Sequence, residues 1–135
     1  MTTTLADRLE GPALCLQTLE LAVSDEAWSR QFYQRYFGFG MQPSRRSDSG
    51  TLVLRGAEGF GLALVQVDKL PPGRPLTRIT FQAFSPEDVD ALRSALEADG
   101  VEIVRVVNED DCVAVRCLDP DGYQVEMAWR APVYG

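Results

Sequence analysis

The pattern of apolar and polar residues becomes regular at residue 16, where "LQTLELAVSD" alternates in hydrophobicity. Successive side chains of a β-strand point to opposite faces, so this alternation predicts a strand with one buried face. Leu19, Leu21 and Val23 would form the buried face, and Thr18 and Glu20 would lie on the other. A threonine and a carboxylate there need polar partners or water, so what meets them bears on the chemistry of the protein.

A helix with an aromatic stripe is predicted to follow this strand. Ser24 or Asp25 suits the N-cap position, because a short side-chain oxygen there accepts hydrogen bonds from free backbone N–H groups. Trp28, Phe32 and Tyr36 then recur every four residues, which places them on one helical face. Such a stripe predicts packing against a sheet rather than a cofactor site.

A similar unit recurs at residues 77–104 as "TRITFQAFSPEDVDALRSALEADGVEIV". Ile79 and Phe81 alternate with Arg78 and Thr80, as apolar and polar residues do in the first strand. A second helix is predicted next, because a serine suits its N-cap, a proline its first position and a glycine its end.

Further strand-like stretches complete both units, near residues 39–46, 51–56, 60–67, 101–107, 112–118 and 123–129. The chain therefore has the order β-α-β-β-β twice, in modules at 14–67 and 76–130 joined by a proline-rich linker at 68–75. An N-terminal arm at 1–13 precedes them. We predict one α+β domain, residues 14–130, in which the two βαβββ modules form a cleft-shaped mixed sheet with helices on its outer face.

Composition narrows the classes of function. The net charge of −7 argues against a nucleic-acid ligand, because phosphate binding needs a basic face. No apolar run reaches the roughly 20 residues that cross a bilayer, and the start of the chain does not have the pattern of a secretory signal. Three cysteines, an odd number, indicate reduced thiols, and we therefore expect a cytoplasmic location.

The absence of histidine is the most informative feature of the composition. Histidine is the commonest metal ligand and the commonest general base near neutral pH. Nucleophilic triads that depend on histidine are therefore excluded, as are most zinc and iron sites. No cofactor is predicted.

Two motifs carry a resemblance to a known family: "LAVSDEAWSRQFYQRYFGFG" near the start and "LDPDGYQVEMAWR" near the end. Together with the duplication, they resemble the vicinal oxygen chelate superfamily, which includes glyoxalases, extradiol dioxygenases, fosfomycin-resistance enzymes and bleomycin-resistance proteins. The resemblance covers residues 14 to 130 and implies the fold rather than the reaction. Members usually hold one divalent metal ion in the cleft. Small members usually pair as two-fold dimers, so the resemblance implies a homodimer here.

The positions that match the family's metal ligands are Thr18, Ala63, Arg78 and Glu126. Threonine is a poor ligand, alanine is none, and the guanidinium of an arginine repels a cation. We therefore predict no metal, and hypothesise that Arg78 takes the place of the ion, held by Glu126 and by Glu20 as a second partner. The alternative is an internal ion pair that only neutralises buried charge.

One function open at this point is that of a metal-independent small-molecule-binding protein of the glyoxalase/bleomycin-resistance type. It would sequester a hydrophobic or aromatic natural product in its cleft and so confer antibiotic resistance. The predicted ligand-binding residues are Thr18, Glu20, Ala63, Thr80 and Gln82 as polar or small positions, and Phe39, Phe60, Tyr123 and Trp129 as walls.

The alternative is a metal-free isomerase, lyase or cyclase of natural-product metabolism. Glu126 would then act as general acid or base, and Arg78 would stabilise an oxyanion. A third reading is a degenerate or partner-binding member that takes no small ligand.

Overall fold

The computed structural model describes residues 16–40, 43–56, 59–73, 75 and 77–132. The predicted N-terminal arm therefore lies outside the described residues. In chain order the elements are β1 (Thr18–Val23), α1 (Glu26–Tyr36), β2 (Arg45–Arg46), β3 (Leu52–Arg55), β4 (Gly61–Gln66), β5 (Arg78–Gln82), α2 (Pro86–Ala98), β6 (Ile103–Glu109), β7 (Cys112–Leu118) and β8 (Gln124–Arg130).

The strands form two four-stranded sheets, one from each half of the chain. Their strand orders are β1-β4-β3-β2 and β5-β8-β7-β6, so the two halves repeat one topology. The β1–β4 and β5–β8 pairs are parallel, and the other neighbours are antiparallel. This confirms the predicted α+β fold of two βαβββ modules, with the helices outside the sheets.

The strand predicted near 39–46 is mostly wrong. Only Arg45 and Arg46 pair with a neighbouring strand, and residues 41–42 lie outside the described part of the chain. The backbone N–H of Phe39 points back to the carbonyl oxygen of Tyr33 in α1, at 3.5 Å, so the chain is still turning there. The apolar character of Phe39 comes from burial in the core, not from a strand.

Both helices begin at the predicted caps. Asp25 is the N-cap of α1, and its Oδ1 accepts from the backbone N–H of Trp28 at 2.9 Å. Ser85 does the same for α2 through the backbone N–H of Asp88 at 3.2 Å. Gly100 follows the second helix with a φ of 72°, a conformation that a side chain disfavours. Neither helix of the described chain is long and apolar enough to span a membrane.

The aromatic stripe of α1 differs from the predicted one in one member. Trp28 is 60% exposed, whereas Phe32 and Tyr33 are buried and Tyr36 is partly buried. Ser29 is also fully buried. The buried face of the helix is therefore centred on Ser29, Phe32 and Tyr33, and not on the line from Trp28 to Tyr36. A helix places neighbours 100° apart, so this shift turns Trp28 outward.

Aromatic rings join the two modules into one core. Phe39 of the first module lies 5.6 Å from Phe81 of the second, measured between ring centroids, and Phe37 lies 5.3 Å from the same ring. Phe60 completes the group at 6.0 Å from Phe39. These offset and edge contacts are the geometries that aromatic pairs favour, so the junction is a packed core rather than a loose contact.

A buried carboxylate next to this core ties the modules by hydrogen bonds. Asp119, in the turn between β7 and β8, accepts from the hydroxyl of Tyr33 at 2.6 Å and from the backbone N–H groups of Asp121 and Tyr123, each at 2.9 Å. Burial raises the pKa of Asp119, and the three hydrogen bonds act against that shift. Burial likewise raises the pKa of Tyr33, with the carboxylate of Asp119 as the second cause.

Candidate functional site

Each sheet has a helix face, which packs in the core, and a face opposite it, called here the free face. Alternation along β8 assigns its residues: Val125 is fully buried in the core, while Gln124 and Glu126 lie on the free face. Glu126 is nevertheless only 8% exposed, one of few buried charged residues in the described chain. A buried carboxylate needs a partner, and this one has two contacts.

The first partner of Glu126 is Arg116. The Nε atom of Arg116 donates to Oε2 of Glu126 at 3.0 Å, and the two side chains are 13% and 11% exposed. Thr80 provides the second contact, with its Oγ1 at 3.5 Å from Oε1 of the carboxylate. Glu126 is thus held from both neighbouring strands, β7 and β5.

This geometry corrects the predicted pairing of Glu126 with Arg78. Arg116 is the residue directly opposite Glu126 in the β7–β8 ladder, whereas Arg78 is opposite Gln124 in the β5–β8 ladder. Directly opposite residues have the closest side chains in a sheet, so Arg116 reaches the carboxylate first. The predicted Arg78–Glu126 pair is therefore wrong, because Glu126 pairs with Arg116 instead.

A cavity of about 640 Å³ opens on the free face of the second sheet, next to this ion pair. We call it the arginine cavity, because four of its lining residues are arginines: Arg78, Arg105, Arg116 and Arg130. Glu126 lines it as well. Arg78 and Glu126, the two residues predicted to be catalytic, therefore share one cavity without forming an ion pair with each other.

The predicted site residues of the first module lie elsewhere. Thr18, Glu20 and Ala63 are together on the free face of the first sheet, where Glu20 and Ala63 are opposite each other in the β1–β4 ladder. Thr18 and Glu20 are exposed, and Ala63 is buried. The arginine cavity is lined by residues of the second module and of the segment after β8. Within one chain, the structure does not bring these three residues to Glu126.

The predicted aromatic walls belong to the core and to a second cavity. Phe39 and Phe60 line a cavity of about 920 Å³ between the modules, called here the junction cavity, to which Thr80 and Gln82 of β5 also belong. This cavity is separate from the one that Glu126 lines.

The other two predicted wall residues have structural contacts. Tyr123 is buried, and its hydroxyl donates to the backbone carbonyl oxygen of Ala22 at 2.8 Å, which links β1 to the second module. Trp129 is opposite Val113 in the β7–β8 ladder and packs against the core from the helix face. Neither side chain is on the face of the sheet that carries Glu126.

The residues present do not fit the divalent metal ion that the family usually holds. The described part of the chain has no group of three or more histidine, cysteine, aspartate or glutamate side chains arranged to hold an ion. Glu126 is the one strong donor among the four matched positions, and Arg116 already occupies its Oε2. The nearby guanidinium groups would repel a cation.

The sequence analysis did not identify Arg116 or Arg105, although the sequence contains a signal for Arg116. In "CVAVRCL" the alternation puts Ala114 and Arg116 on the face opposite Val113, Val115 and Cys117. An arginine inside an apolar strand, on the same face as a buried glutamate of the next strand, is a candidate partner. The family-based matching considered only the first and last strand of each module, and so passed over β7.

Comparison with known proteins supports the fold. Residues 16–127 match the model of the family described as the Glyoxalase/Bleomycin resistance protein/Dioxygenase superfamily. No curated protein matches the chain.

Among solved structures, a glyoxalase/dioxygenase from Nostoc punctiforme is similar with a TM-score of 0.73 and 19% identity, over 98% of this chain and 99% of that one. The fosfomycin resistance protein FosX from Listeria monocytogenes gives 0.70 and 24%, over 86% and 93%. Lactoylglutathione lyase from Agrobacterium tumefaciens gives 0.67 and 17%, over 88% and 96%.

Structural similarity at this low identity concerns the fold alone. The family match, by contrast, covers most of the sequence. This chain belongs to the Glyoxalase/Bleomycin resistance protein/Dioxygenase superfamily.

Proposed function

We propose that this protein binds a hydrophobic or aromatic natural product in its cleft without a metal ion, and protects its host by sequestering that compound. The observation that carries the proposal is the ion pair of Arg116 with Glu126 beside a cavity of about 640 Å³. Pockets for small molecules fall in the range of about 300–1,000 Å³ and combine apolar walls with a few placed polar groups.

The metal-independent part of the proposal rests on the chemistry of the donors. A divalent ion would have to displace Arg116 from Glu126, and the other three positions that match the family's ligands offer only a threonine, an alanine and an arginine side chain. None of these competes with water for a hard cation. Stoichiometric zinc, manganese, magnesium or iron in the purified protein, measured by elemental analysis, would contradict this part.

We extend the proposal to a homodimer in which a second chain completes the cavity. Thr18 and Glu20 are exposed on the free face of the first sheet, and the arginine cavity is open on the free face of the second. A two-fold dimer that sets one face over the other would bring all the predicted ligand-binding positions of β1 and β5 together. Sedimentation equilibrium at micromolar concentration tests this, and a monomer would contradict it.

The test of binding is a thermal-shift screen with aromatic natural products of neutral, cationic and anionic character. A compound present at a hundred times its dissociation constant should stabilise the folded protein by about 2.7 kcal/mol. Binding without turnover is the expected result. If no compound of any charge raises the melting temperature, the proposed function is wrong.

A metal-free isomerase, lyase or cyclase is the second candidate, favoured by one observation. Glu126 is a buried carboxylate on a cavity wall, with Arg78 and Arg116 lining the same cavity. That arrangement suits proton transfer at a carbon next to a carbonyl, with a guanidinium to stabilise the resulting oxyanion.

The substitution Glu126→Gln separates the two candidates once a ligand is known. In a binding protein, affinity should stay within a few-fold. In an enzyme that uses Glu126 as acid or base, turnover should fall by about 10²-fold or more while binding persists.

A further inference from the structure

The arginine cavity has a charge opposite to that of the whole protein. The chain carries a net charge of −7, but the described part of the cavity lining has four arginines against three acidic side chains. Among the described residues, only Arg116 of these four arginines forms an ion pair. The cavity therefore holds an excess of positive charge on an otherwise acidic molecule, which is a local field that attracts anions.

The two central arginines are directly opposite each other. Arg105 of β6 pairs with Arg116 of β7 in the antiparallel ladder, and Arg116 pairs in turn with Glu126 of β8. Like charges in directly opposite positions destabilise a sheet. One carboxylate offsets one guanidinium, so this row of three residues keeps one positive charge without a partner.

A β-bulge is responsible for the position of Arg105. Ile103 pairs with Cys117, but the next paired residue, Arg105, is opposite Arg116, so two steps along β6 match one step along β7. Cys117 belongs to the core and Arg116 to the free face. In a regular ladder Val104 would be opposite Arg116, and Arg105 would point toward the helix face.

The bulge therefore adds a second arginine to the cavity, although this places two positive charges directly opposite each other in the sheet. Bulges re-aim side chains and occur frequently beside active sites. A fold that only needed to neutralise Glu126 had Arg116 for that purpose, and gains no stability from a second guanidinium on the same row.

The donors that remain suit an anion. In the hydrogen bonds between described residues, Arg116 uses only its Nε atom, so its two terminal nitrogen atoms are left for another acceptor. Arg105 faces the same cavity, where Val107 and Ala114 form an apolar part of the lining. Two guanidinium groups beside an apolar surface match a molecule with an anionic head and an apolar body.

We propose that the arginine cavity binds a small organic anion, a carboxylate or phosphate attached to an aromatic or aliphatic body, through Arg105 and the terminal nitrogen atoms of Arg116. This inference rests on the proposed function and specifies its ligand class.

The experiment uses near-isosteric probes that differ in charge. Benzoate, benzamide and benzamidine are titrated into the full-length protein by isothermal calorimetry at low salt, with phenyl phosphate as a second anion. Resonance shifts of cavity residues in ¹⁵N-correlated NMR spectra locate the binding. We expect benzoate or phenyl phosphate to bind at least about tenfold more tightly than benzamidine, because a hydrogen bond to a charged group is worth a factor of this size.

The substitution Arg105→Gln tests the residue that the bulge positions. Anion affinity should fall about tenfold, whereas Arg93→Gln, which makes the same charge change on the exposed surface of α2, should leave it unchanged. Arg105 is exposed, so its substitution should leave the fold intact, and a melting temperature that does not fall verifies this.

The outcomes separate the inference from the proposed function. Anion binding that Arg105→Gln leaves unchanged overturns the inference, as does benzamidine or benzamide binding as tightly as benzoate. If a neutral or cationic natural product then stabilises the protein in the thermal-shift screen, the proposed function stands with another ligand class. If no probe and no compound of any charge binds, both are wrong.

Discussion

The two modules share one backbone plan, but they differ at the centre of their free faces. In the first sheet, one register row runs Glu20–Ala63–Val53–Arg45 across β1, β4, β3 and β2. The equivalent row of the second sheet runs Thr80–Glu126–Arg116–Arg105 across β5, β8, β7 and β6.

Both rows have an arginine on their outer strand, β2 or β6, but they differ at the two central positions. They are aliphatic in the first row and form an ion pair in the second. Both modules therefore provide the same backbone scaffold, but among the described residues only the second module forms the arginine cavity beside an ion pair. A protein that needed only the fold would gain nothing from a buried ion pair on one sheet and not on the other. We therefore associate function with the second row, and the predictions below test how far the two modules differ.

The largest effect is expected where the modules meet. Phe39→Ala removes a fully buried ring that contacts Tyr33, Phe60 and Phe81, and so leaves a void at the junction. The free energy of unfolding should fall by about 3–5 kcal/mol. Chemical denaturation measures this. Both modules should still unfold in one transition, and two separate transitions in the wild-type protein would contradict a shared core.

A smaller loss is expected when the hydrogen bond between the modules is removed. Tyr33→Phe leaves Oδ2 of the buried Asp119 without its 2.6 Å donor, at a cost of about 1–3 kcal/mol. Tyr36→Phe is the matched control, because that hydroxyl donates to the more exposed carboxylate of Asp99. It should change stability by at most about 0.5 kcal/mol.

The loss of stability in Tyr33→Phe should depend on pH. Burial raises the pKa of Asp119 in the folded state, so the folded protein binds a proton at this carboxylate more tightly than the unfolded chain does. Its contribution to stability is therefore present below its unfolded pKa and is lost as pH rises through its folded pKa. Tyr33 stabilises the ionised form, so Tyr33→Phe should cost more at pH 7 than at pH 4. An equal loss at both values would contradict this assignment.

The free faces should respond differently to the same chemical change. Glu126→Gln weakens the ion pair with Arg116 in a partly buried setting, and should lower the free energy of unfolding by about 1 kcal/mol. Glu20→Gln changes the row of the first module at an exposed position, and should have an effect within about 0.5 kcal/mol. Equal effects in urea denaturation would remove the distinction between the two rows.

The smallest effect concerns the two thiols of β7, which lie on opposite faces of one strand. Cys117 is fully buried in the core, and burial raises its pKa to about 12, whereas Cys112 lines the arginine cavity. The thiolate is the reactive form, so Cys117 should stay unmodified by a disulfide reagent at pH 8. Cys112 should react in a Cys15→Ser background, which removes the third cysteine of the chain. Rapid labelling of both cysteines in the folded protein would contradict the assigned faces.

Much of the architecture was predictable because it depends on local patterns. The alternation in β1 and β5, the caps at Asp25 and Ser85, and the glycine after α2 are determined by neighbours a few residues away. The same order of elements occurs in both halves of the chain, so each half supported the prediction made for the other. The strand predicted near 39–46 was wrong because the apolar Phe39 packs against Phe81 at the junction between the modules. This is a long-range contact that the local pattern does not reveal.

The candidate site was predictable only in part. Alternation along the chain was enough to place Glu126 opposite the core face, and the composition excluded histidine chemistry. The match to the family's ligand positions added the expectation that Arg78 would lie near this glutamate. Three features depend on long-range packing and pairing and were not predicted: Arg116 is the partner of Glu126, Tyr123 and Trp129 pack on the core side, and Arg105 faces the cavity.

This difference arises because alternation along the sequence predicts which face of the sheet a side chain lies on, whereas the pairing register between strands determines which residue is opposite it. A single bulge reverses the face without leaving a clear signal in the sequence.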